Sequence, residues 1–286
     1  MAKRPKNIRF ETRRSGQKSL FKKIAAVLAI CAVLGFSAAA IVSIVRDGDE
    51  AFGEQVQTTR VRDSAKEQEK QIQMDANFLL FSENRDKDCI DFMWLVNVKL
   101  PERKFTVTFV DPALSAGDET FDEVFRKSGE TKLKQAVESE FGVTVDKYIF
   151  TNEMTFRTVV NYFGGATLTI PEQIVYKTDE MNLVLVKGRQ NMKGETFYKY
   201  LRYAVLMGDA MAAERDEALE AILNSVFRQS NSGSGTKIFS KLSNTVTTDI
   251  TIVDFSKAEK AVNLLMENGI KTIENVPIAE LTGELK

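Results

Sequence analysis

Residues 142–171, GVTVDKYIFTNEMTFRTVVNYFGGATLTIP, decide the fold. From Val145 to Phe150 the chain is rich in β-formers and is bounded upstream by Gly142, which predicts a strand. Thr151 and Asn152 follow. Each offers a side-chain oxygen to free helical N–H groups and so marks a helix start. Phe156, Val159, Val160 and Phe163 fall at i, i+3, i+4 and i+7, one apolar face of that helix. Gly164 and Gly165 end it, because glycine enters the left-handed conformation without a Cβ clash. Leu168 and Ile170 then alternate with threonines up to Pro171, a strand stopped by a residue that cannot donate to a ladder. Strand, helix and strand in this order predict a crossover unit of an α/β domain, right-handed if its two strands are parallel.

The flanking segments extend that sheet. Asn77–Ser82 (NFLLFS) reads as a short apolar strand and Glu83–Asp88 as a charged loop. Phe92–Val96 (FMWLV) is continuously apolar, as expected of a strand covered on both faces. Pro101 marks a turn before Phe105–Val110, where apolar residues alternate with threonine, and Asp111-Pro112 end that strand. Lys132–Phe141 reads as a helix with Leu133, Ala136, Val137 and Phe141 on one side. Tyr200–Tyr203 and Met211–Phe227 fall on two more helices, and Ser230–Thr236 is a Ser/Gly-rich loop, flexible by composition. Val246–Asp254, a helix over Ala258–Met266 and Ile270–Val276 complete the sheet and its cover. The expected class is α/β, a mixed β-sheet flanked by helices (an α-β-α sandwich), preceded by one transmembrane helix.

Charge is distributed unevenly. Residues 1–23 carry nine Lys or Arg and one acid, a net of +8, although the whole chain sums to −1. Residues 24–45 are 22 positions without a charge, long enough to cross a hydrocarbon core of about 30 Å. Asp47, Asp49 and Glu50 follow. A cationic flank stays cytoplasmic. The reading is a single-pass signal anchor in the cell membrane, with the N-terminus cytoplasmic and the domain extracytoplasmic. A cleaved signal peptide is the competing reading, since Ser37–Ala40 supplies small residues. Orientation and contact with anionic lipid explain the basic tail without a nucleic acid partner. Residues 46–76, rich in Gln, Lys and Glu, form a polar stalk, and residues 77–280 the domain. The chain has no histidine, so His-based catalysis and His metal ligation are excluded. Cys31 lies in the apolar segment, leaving Cys89 without a partner inside the domain and expected as a buried structural thiol.

The ordered set Gly142, Asp146, Tyr148, Phe156, Val160, Asn161, Phe163, Gly164, Gly165 and Pro171 resembles the LytR-CpsA-Psr family of cell-envelope domains. Lys187–Glu195 (KGRQNMKGE) resembles the family's turn into a helix, and Tyr200-Leu201-Arg202-Tyr203 its Y-(V/I)-R-x-R. The resemblance runs from about Asn77 to near Pro277. It implies binding of polyprenyl-(pyro)phosphate-linked glycopolymer at the membrane and transfer of glycopolymer phosphate to peptidoglycan. Such chemistry forks arginines onto phosphate oxygens and holds Mg2+ between carboxylates and pyrophosphate. It also implies an apolar cleft between sheet and helices for the prenyl chain.

Only part of the family's site is kept. Where the family has R-S-D this chain has Cys89-Ile90-Asp91, and where it has P-R-D this chain has Asp111-Pro112-Ala113. Arg202 matches the first arginine of R-x-R, while Ala204 replaces the second. The family's D-F-G-R-x-x-R-Q aligns with Asp209–Asp216, keeping Asp209 and Arg215 and replacing an arginine by Ala212. Leu219, Ile222, Leu223 and Val226 define the buried stripe of that helix, and Arg215 lies about 40° from Leu219, inside the stripe. A buried arginine needs a partner, and an internal carboxylate serves as well as a ligand. For Asp91, strand capping is the structural alternative. The resemblance assigns catalysis to Asp91, Arg202 and Arg215, ligand binding to Arg202, Arg215 and Asp209, and Mg2+ to Asp91, all converging at one mouth of the cleft. Arg126, Lys127, Arg157 and Arg189 are the available substitutes for the lost arginines. Three functions fit. The first is a membrane-anchored protein that binds lipid-linked glycopolymer, with weakened or absent transfer. The second is an active divergent glycopolymer–peptidoglycan phosphotransferase. The third is a structural or partner-binding exported domain.

Overall fold

The computed structural model describes residue 72, residues 74–231 and residues 235–280. The basic tail, the expected membrane segment and most of the stalk lie outside the described residues. Among those described, no helix is long and apolar enough to cross a membrane.

The chain begins with β1 (Met74–Asn84), β2 (Cys89–Leu100) and β3 (Lys104–Phe109), then the two-residue strands β4 (Ser115–Ala116) and β5 (Glu119–Thr120). Helix α1 (Phe121–Phe141), β6 (Lys147–Asn152), α2 (Glu153–Tyr162) and β7 (Ala166–Ile170) follow. Next come β8 (Ile174–Lys177), β9 (Asn182–Leu185), β10 (Gly188–Met192), α3 (Gly194–Leu206) and α4 (Ala212–Val226). The chain closes with α5 (Gly235–Leu242), β11 (Thr247–Thr248), α6 (Ile252–Asn268) and β12 (Thr272–Asn275).

Six strands form the central sheet in the order β11-β6-β1-β2-β3-β12. β1 pairs parallel to β6 and β3 parallel to β12, while β2 is antiparallel to both its neighbours. The sheet is therefore mixed, with β6, β1, β3 and β12 running in one direction. Its two faces carry separate cores, because alternate residues of a strand point to opposite sides. Phe78, Leu80, Phe92, Trp94 and Val96 pack beneath α2, α3 and α4. Leu79, Phe81, Met93 and Leu95 meet Phe121, Leu133 and Val137 of α1. Near-continuous burial along β1 and β2 is what two covered faces require.

The strand–helix–strand unit around Gly164 forms, but not as a crossover. Asn152 caps α2 by accepting from the Thr155 N–H at 3.1 Å, and Phe156, Val159, Val160 and Phe163 are buried. β7, however, pairs antiparallel with β10 in a separate two-stranded sheet. The glycines explain this departure: Gly164 and Gly165 have φ of 85° and 94°. A Cβ on Gly165 would meet Asn191 Oδ1 at 2.3 Å and the Met192 carbonyl at 2.6 Å. Close approach of β10, not helix termination alone, requires that glycine. The parallel neighbour of β6 is β1, far upstream.

Other boundaries moved for local reasons. β1 begins at Met74, inside the stretch read as stalk. Helix α1 starts eleven residues before Lys132, on a capping box between Thr120 and Glu123, and is broken at Gly129 with φ 77°. A second capping box, Thr251 with Asp254, starts α6 at Ile252 and leaves only Thr247–Thr248 of the expected Val246–Asp254 strand. Helix α5 begins at Gly235, within the stretch read as loop. The apolar cleft is also much narrower than expected. Between β1, β2, β6 and helices α2 and α4 lies a cavity of about 40 Å³, lined by Phe78, Phe92, Trp94, Phe156 and Leu223 among others. At roughly 10–15 Å³ per water it has room for about three waters, and a prenyl chain enters only if the helices move outward.

Candidate functional site

A β-bulge builds the first part of the site. Ser82 of β1 faces Phe92 of β2, but the next residue, Glu83, faces Ile90. Asp91 is the extra residue, and a bulge of this kind re-aims a side chain out of the regular alternation. Ile90 joins the α1 face and Phe92 the opposite one, and Asp91 reaches α3. There Tyr198 and Arg202, one turn apart on a single helix face, both meet it. The Tyr198 hydroxyl donates to Asp91 Oδ2 in a short hydrogen bond. Arg202 Nε forms an ion pair with Oδ1 at 3.2 Å. Asn84 Nδ2 donates to the same Oδ1 at 3.2 Å.

The cluster is nearly sealed, with 8% of the Asp91 side chain and 12% of Arg202 exposed. Burial pushes the Asp91 carboxyl above the ordinary carboxylate range, although Tyr198, Arg202 and Asn84 all oppose that shift. Burial and then the Asp91 charge push the Tyr198 phenol far up, so it remains a protonated donor. The Tyr198 ring packs on Phe92 at 5.8 Å and on Phe156 at 5.5 Å. Both rings line the apolar cavity. Cys89 beside this cluster is half-buried rather than buried, and burial followed by the Asp91 charge raises its thiol pKa.

Arg215 belongs to a second group. Its Nε ion-pairs with the neighbouring Asp216 at 3.1 Å. Its guanidinium carbon lies 3.8 Å from the Phe109 ring centroid, a cation–π contact. The side chain is 11% exposed, as its place in the helical stripe predicts, and the partner is internal. Phe109 in turn packs on Trp94 at 5.8 Å, which lines the apolar cavity. Outside lies a larger cavity of about 450 Å³, lined by Asp111, Asp209, Ala212, Arg215, Asp216 and Asn275 among others. Burial raises the Asp216 pKa against the opposing charge of Arg215.

The four expected residues thus fall into two groups, Asp91 with Arg202 and Asp209 with Arg215, rather than one cluster. The register still puts both at one end of the sheet. Trp94 faces Phe109, and Phe92 faces Ser82, which faces Thr151. That end holds the carboxyl termini of β1, β3, β6 and β12, where ligands of open α/β sheets bind. In both arginines the carboxylate engages Nε. The terminal Nη groups, the fork that grips a phosphate, make no other hydrogen bond among the described residues. Of the lost arginine positions, Ala204 is fully buried in the core, while Ala212 lines the larger cavity beside Arg215.

Sequence reasoning missed Tyr198, Asn84 and Asp216. Tyr198 stands four residues before Arg202, a spacing that was visible, and Asp216 replaces the glutamine of the family pattern. Mg2+ fits Asp91 narrowly. Three of its roughly four acceptor positions are taken by Tyr198, Asn84 and Arg202. Among the described residues no three carboxylates or thiols gather to hold a metal. Mg2+ typically takes one or two carboxylates and fills its shell with water and phosphate oxygens, so Asp91 could serve only an ion that arrives with a phosphate ligand.

Comparisons with known proteins bear on both fold and family. The teichoic acid transferase TagV of Bacillus subtilis (strain 168), named a polyisoprenyl-teichoic acid–peptidoglycan teichoic acid transferase, is 27% identical over 150 residues, covering 49% of this chain. The match spans 38% of that relative's length, less than half of it. The crystal structure of TagV superposes with a TM-score of 0.57 at 20% identity, over 72% of this chain and 85% of that one. A Eubacterium siraeum protein described as a transcription regulator gives a TM-score of 0.64 at 18% identity, over 84% and 89% of the two chains. The TagT structure with bound octaprenyl pyrophosphate lipid gives 0.52 at 18% identity, over 74% and 88%. At these identities the structures establish a shared fold. The LytR_cpsA_psr family model matches residues 98–282, a span that includes Arg202, Asp209 and Arg215 and begins just after Asp91. With well over half of its length matched, the chain belongs to the LytR-CpsA-Psr family.

Proposed function

We propose that this protein binds a polyprenyl-(pyro)phosphate-linked cell-wall glycopolymer, with weakened or absent transfer to peptidoglycan. The observation that carries the binding reading is the pair of guanidinium forks, Arg202 and Arg215, at the carboxyl end of the sheet. The forks meet phosphate oxygens, and the prenyl chain enters between the sheet and α2 and α4 as those helices part. Asp91 would hold a Mg2+ ion that accompanies the pyrophosphate, and the ion would supply charge neutralisation there. The name of the relative TagV and the octaprenyl pyrophosphate in the TagT structure support a ligand of this class.

Weakened transfer rests on the missing cations. Family arginine positions hold Cys89, Pro112, Ala204 and Ala212, and each lost donor of this kind costs on the order of 10²–10³ in rate. The cavity beside Arg215 adds Asp111, Asp209 and Asp216 against one arginine, a balance unfavourable to a polyanion. Active transfer is the second reading, favoured by the curated relative's transferase name. In the cell the domain is held outside the membrane by residues 24–45, with the basic tail inside.

The test is calorimetric titration of octaprenyl pyrophosphate with and without Mg2+, followed by transfer of a lipid-linked saccharide to peptidoglycan oligomers. Binding weakened by Arg202→Ala or Arg215→Ala, without turnover, is the expected outcome. Turnover that disappears in either variant overturns the weakened-transfer reading. No binding at all leaves a structural or partner-binding domain.

A further inference from the structure

The end of the sheet opposite the Asp91 cluster carries a surface that the binding described above does not use. β1, β3, β6 and β12 all begin there, and α6 is slung across it. The first turn of α6 is fixed to β6, where Lys147 Nζ ion-pairs with Asp254 Oδ2 at 2.9 Å and the Tyr148 N–H donates to Asp249 Oδ1 at 2.8 Å. Its last turn is fixed to the β2–β3 turn, where Arg103 Nη1 donates to the carbonyls of Asn268 at 2.6 Å and Gly269 at 3.1 Å. A helix of 17 residues spans about 25 Å, enough to cross the roughly 14 Å that separates β6 from β3.

Phe255, Ala258, Val262 and Leu265 bury one side of α6 in the core. At about 100° per residue, Val253, Lys257 and Lys260 fall within about 60° of one another on the other side. All three are exposed, Val253 by 57%, and its neighbour Ile252 is exposed by 60%. Lys257, Lys260 and, just beyond the helix, Lys271 make no ion pair among the described residues. The nearby acids of α6 are engaged elsewhere, Asp254 by Lys147 and Glu259 by Thr236. The exposed acids Glu102 and Glu267 lie at the far end of the helix, by the β2–β3 turn.

An exposed aliphatic step beside unpaired lysines fits the boundary of an anionic bilayer. There the aliphatic side chains leave water and the lysines meet lipid phosphates. An acidic protein would satisfy the lysines too, but the position of the surface favours the bilayer. β1 starts at this end, and only 28 residues, 46–73, separate it from the uncharged stretch 24–45. A tether of that length makes the contact intramolecular, so a weak surface suffices.

We propose that α6 docks this end of the domain on the outer face of an anionic membrane, with Ile252 and Val253 in the headgroup boundary and Lys257 and Lys260 on lipid phosphates. The proposal rests on the anchor reading of residues 24–45 and is independent of the ligand at the Asp91 site. Docked in this way, the domain holds Asp91 and Arg202 about 35 Å from the bilayer, the length of the 11-residue β1. The apolar cavity lies within that interval, with Phe78 and Val96 nearer α6 and Phe92 and Thr151 nearer Asp91.

The test uses the full 286-residue chain in nanodiscs of acyl-brominated phosphatidylcholine, with and without brominated phosphatidylglycerol. Trp94, the sole tryptophan and 2% exposed, supplies the blank. Val253→Trp puts a probe on α6, and Met154→Trp puts one on an exposed position at the Asp91 end. Quenching of the Val253→Trp signal in the anionic discs is expected, with the Met154→Trp signal unquenched. Adding Lys257→Ala and Lys260→Ala, both at exposed positions, should lower the ratio of docked to free domain about 25-fold, at roughly fivefold per lysine near an anionic surface. Equal quenching of the two probes overturns the proposal, as does quenching indifferent to phosphatidylglycerol and to the lysines. No quenching of Val253→Trp in either disc also overturns it and leaves this face of α6 to an acidic protein partner. A chain that does not co-purify with the discs refutes the anchor, and the tethered docking with it.

Discussion

Replacing Tyr198 by Phe isolates one interaction of the candidate site. The ring is 1% exposed and packed on Phe92 and Phe156. Phe fills the same space without a cavity, and only the hydroxyl is lost. That hydroxyl donates to Asp91, whose side chain is 8% exposed, so solvent screening does not discount the bond. A hydrogen bond to a charged group contributes about 1.5–3 kcal/mol, which at about 2–4 °C per kcal/mol for a domain of this size lowers Tm by roughly 3–12 °C. Other effects of losing the hydroxyl are removed by a double-mutant cycle with Asp91→Asn, measured by urea unfolding. The expected coupling is about 1.5–3 kcal/mol, because the neutral amide accepts a weaker bond than the carboxylate. A coupling below about 0.5 kcal/mol, within the usual error of additivity, would show that the Tyr198–Asp91 contact is not charge-assisted and would remove the argument for an ionised Asp91.

Three further outcomes are expected. Native Asp91 holds its proton more tightly than the unfolded chain, since its pKa is raised above 3.8. Its contribution is therefore fully favourable below that value and is lost as pH rises through the native pKa. The Tm of Asp91→Asn relative to wild type should climb across that interval, and a flat or falling difference would contradict the assigned shift. Gly165→Ala should lower stability by roughly 2–4 kcal/mol through its strained φ and its collisions with the Asn191 side chain and the Met192 carbonyl. Gly117→Ala, where an added Cβ meets nothing within 4 Å, should cost distinctly less, and equal losses would refute the close-approach argument. Protease added to intact protoplasts should digest the domain and spare residues 1–23, whereas a soluble domain starting near Ala40 would reveal a cleaved signal.

Local chemistry was legible where one residue type has one physical use. Asn152 as helix cap, the Phe156–Phe163 stripe and the apolar run of β2 all follow from pattern alone. Pairing was harder to read, because it depends on contacts distant in sequence. Nothing between Gly142 and Pro171 says that β7 leaves the main sheet for β10; the collision that demands Gly165 comes from Asn191 and Met192. The candidate site divides the same way. Periodicity placed Arg215 in a buried stripe, and the stripe is buried, but its partner proved to be the adjacent Asp216 with Phe109 behind it. Asp91 was visible as an aspartate at the head of a strand. Its approach to α3 was not, because a bulge is set by how two strands align and leaves no composition signal.

The bulge at Asp91 also makes the site sensitive to length as well as to identity. Deleting one residue between Asn84 and Phe92 would let the β1–β2 ladder close regularly. A one-residue change of phase turns a side chain to the other face of a sheet. The carboxylate would then lie under α1, among Phe121, Leu133 and Val137, and Tyr198 and Arg202 would face each other without it. A single codon lost from this hairpin would silence the cluster while keeping every one of its side chains, and the count of residues in one turn works as a switch on which side of the molecule carries the charge.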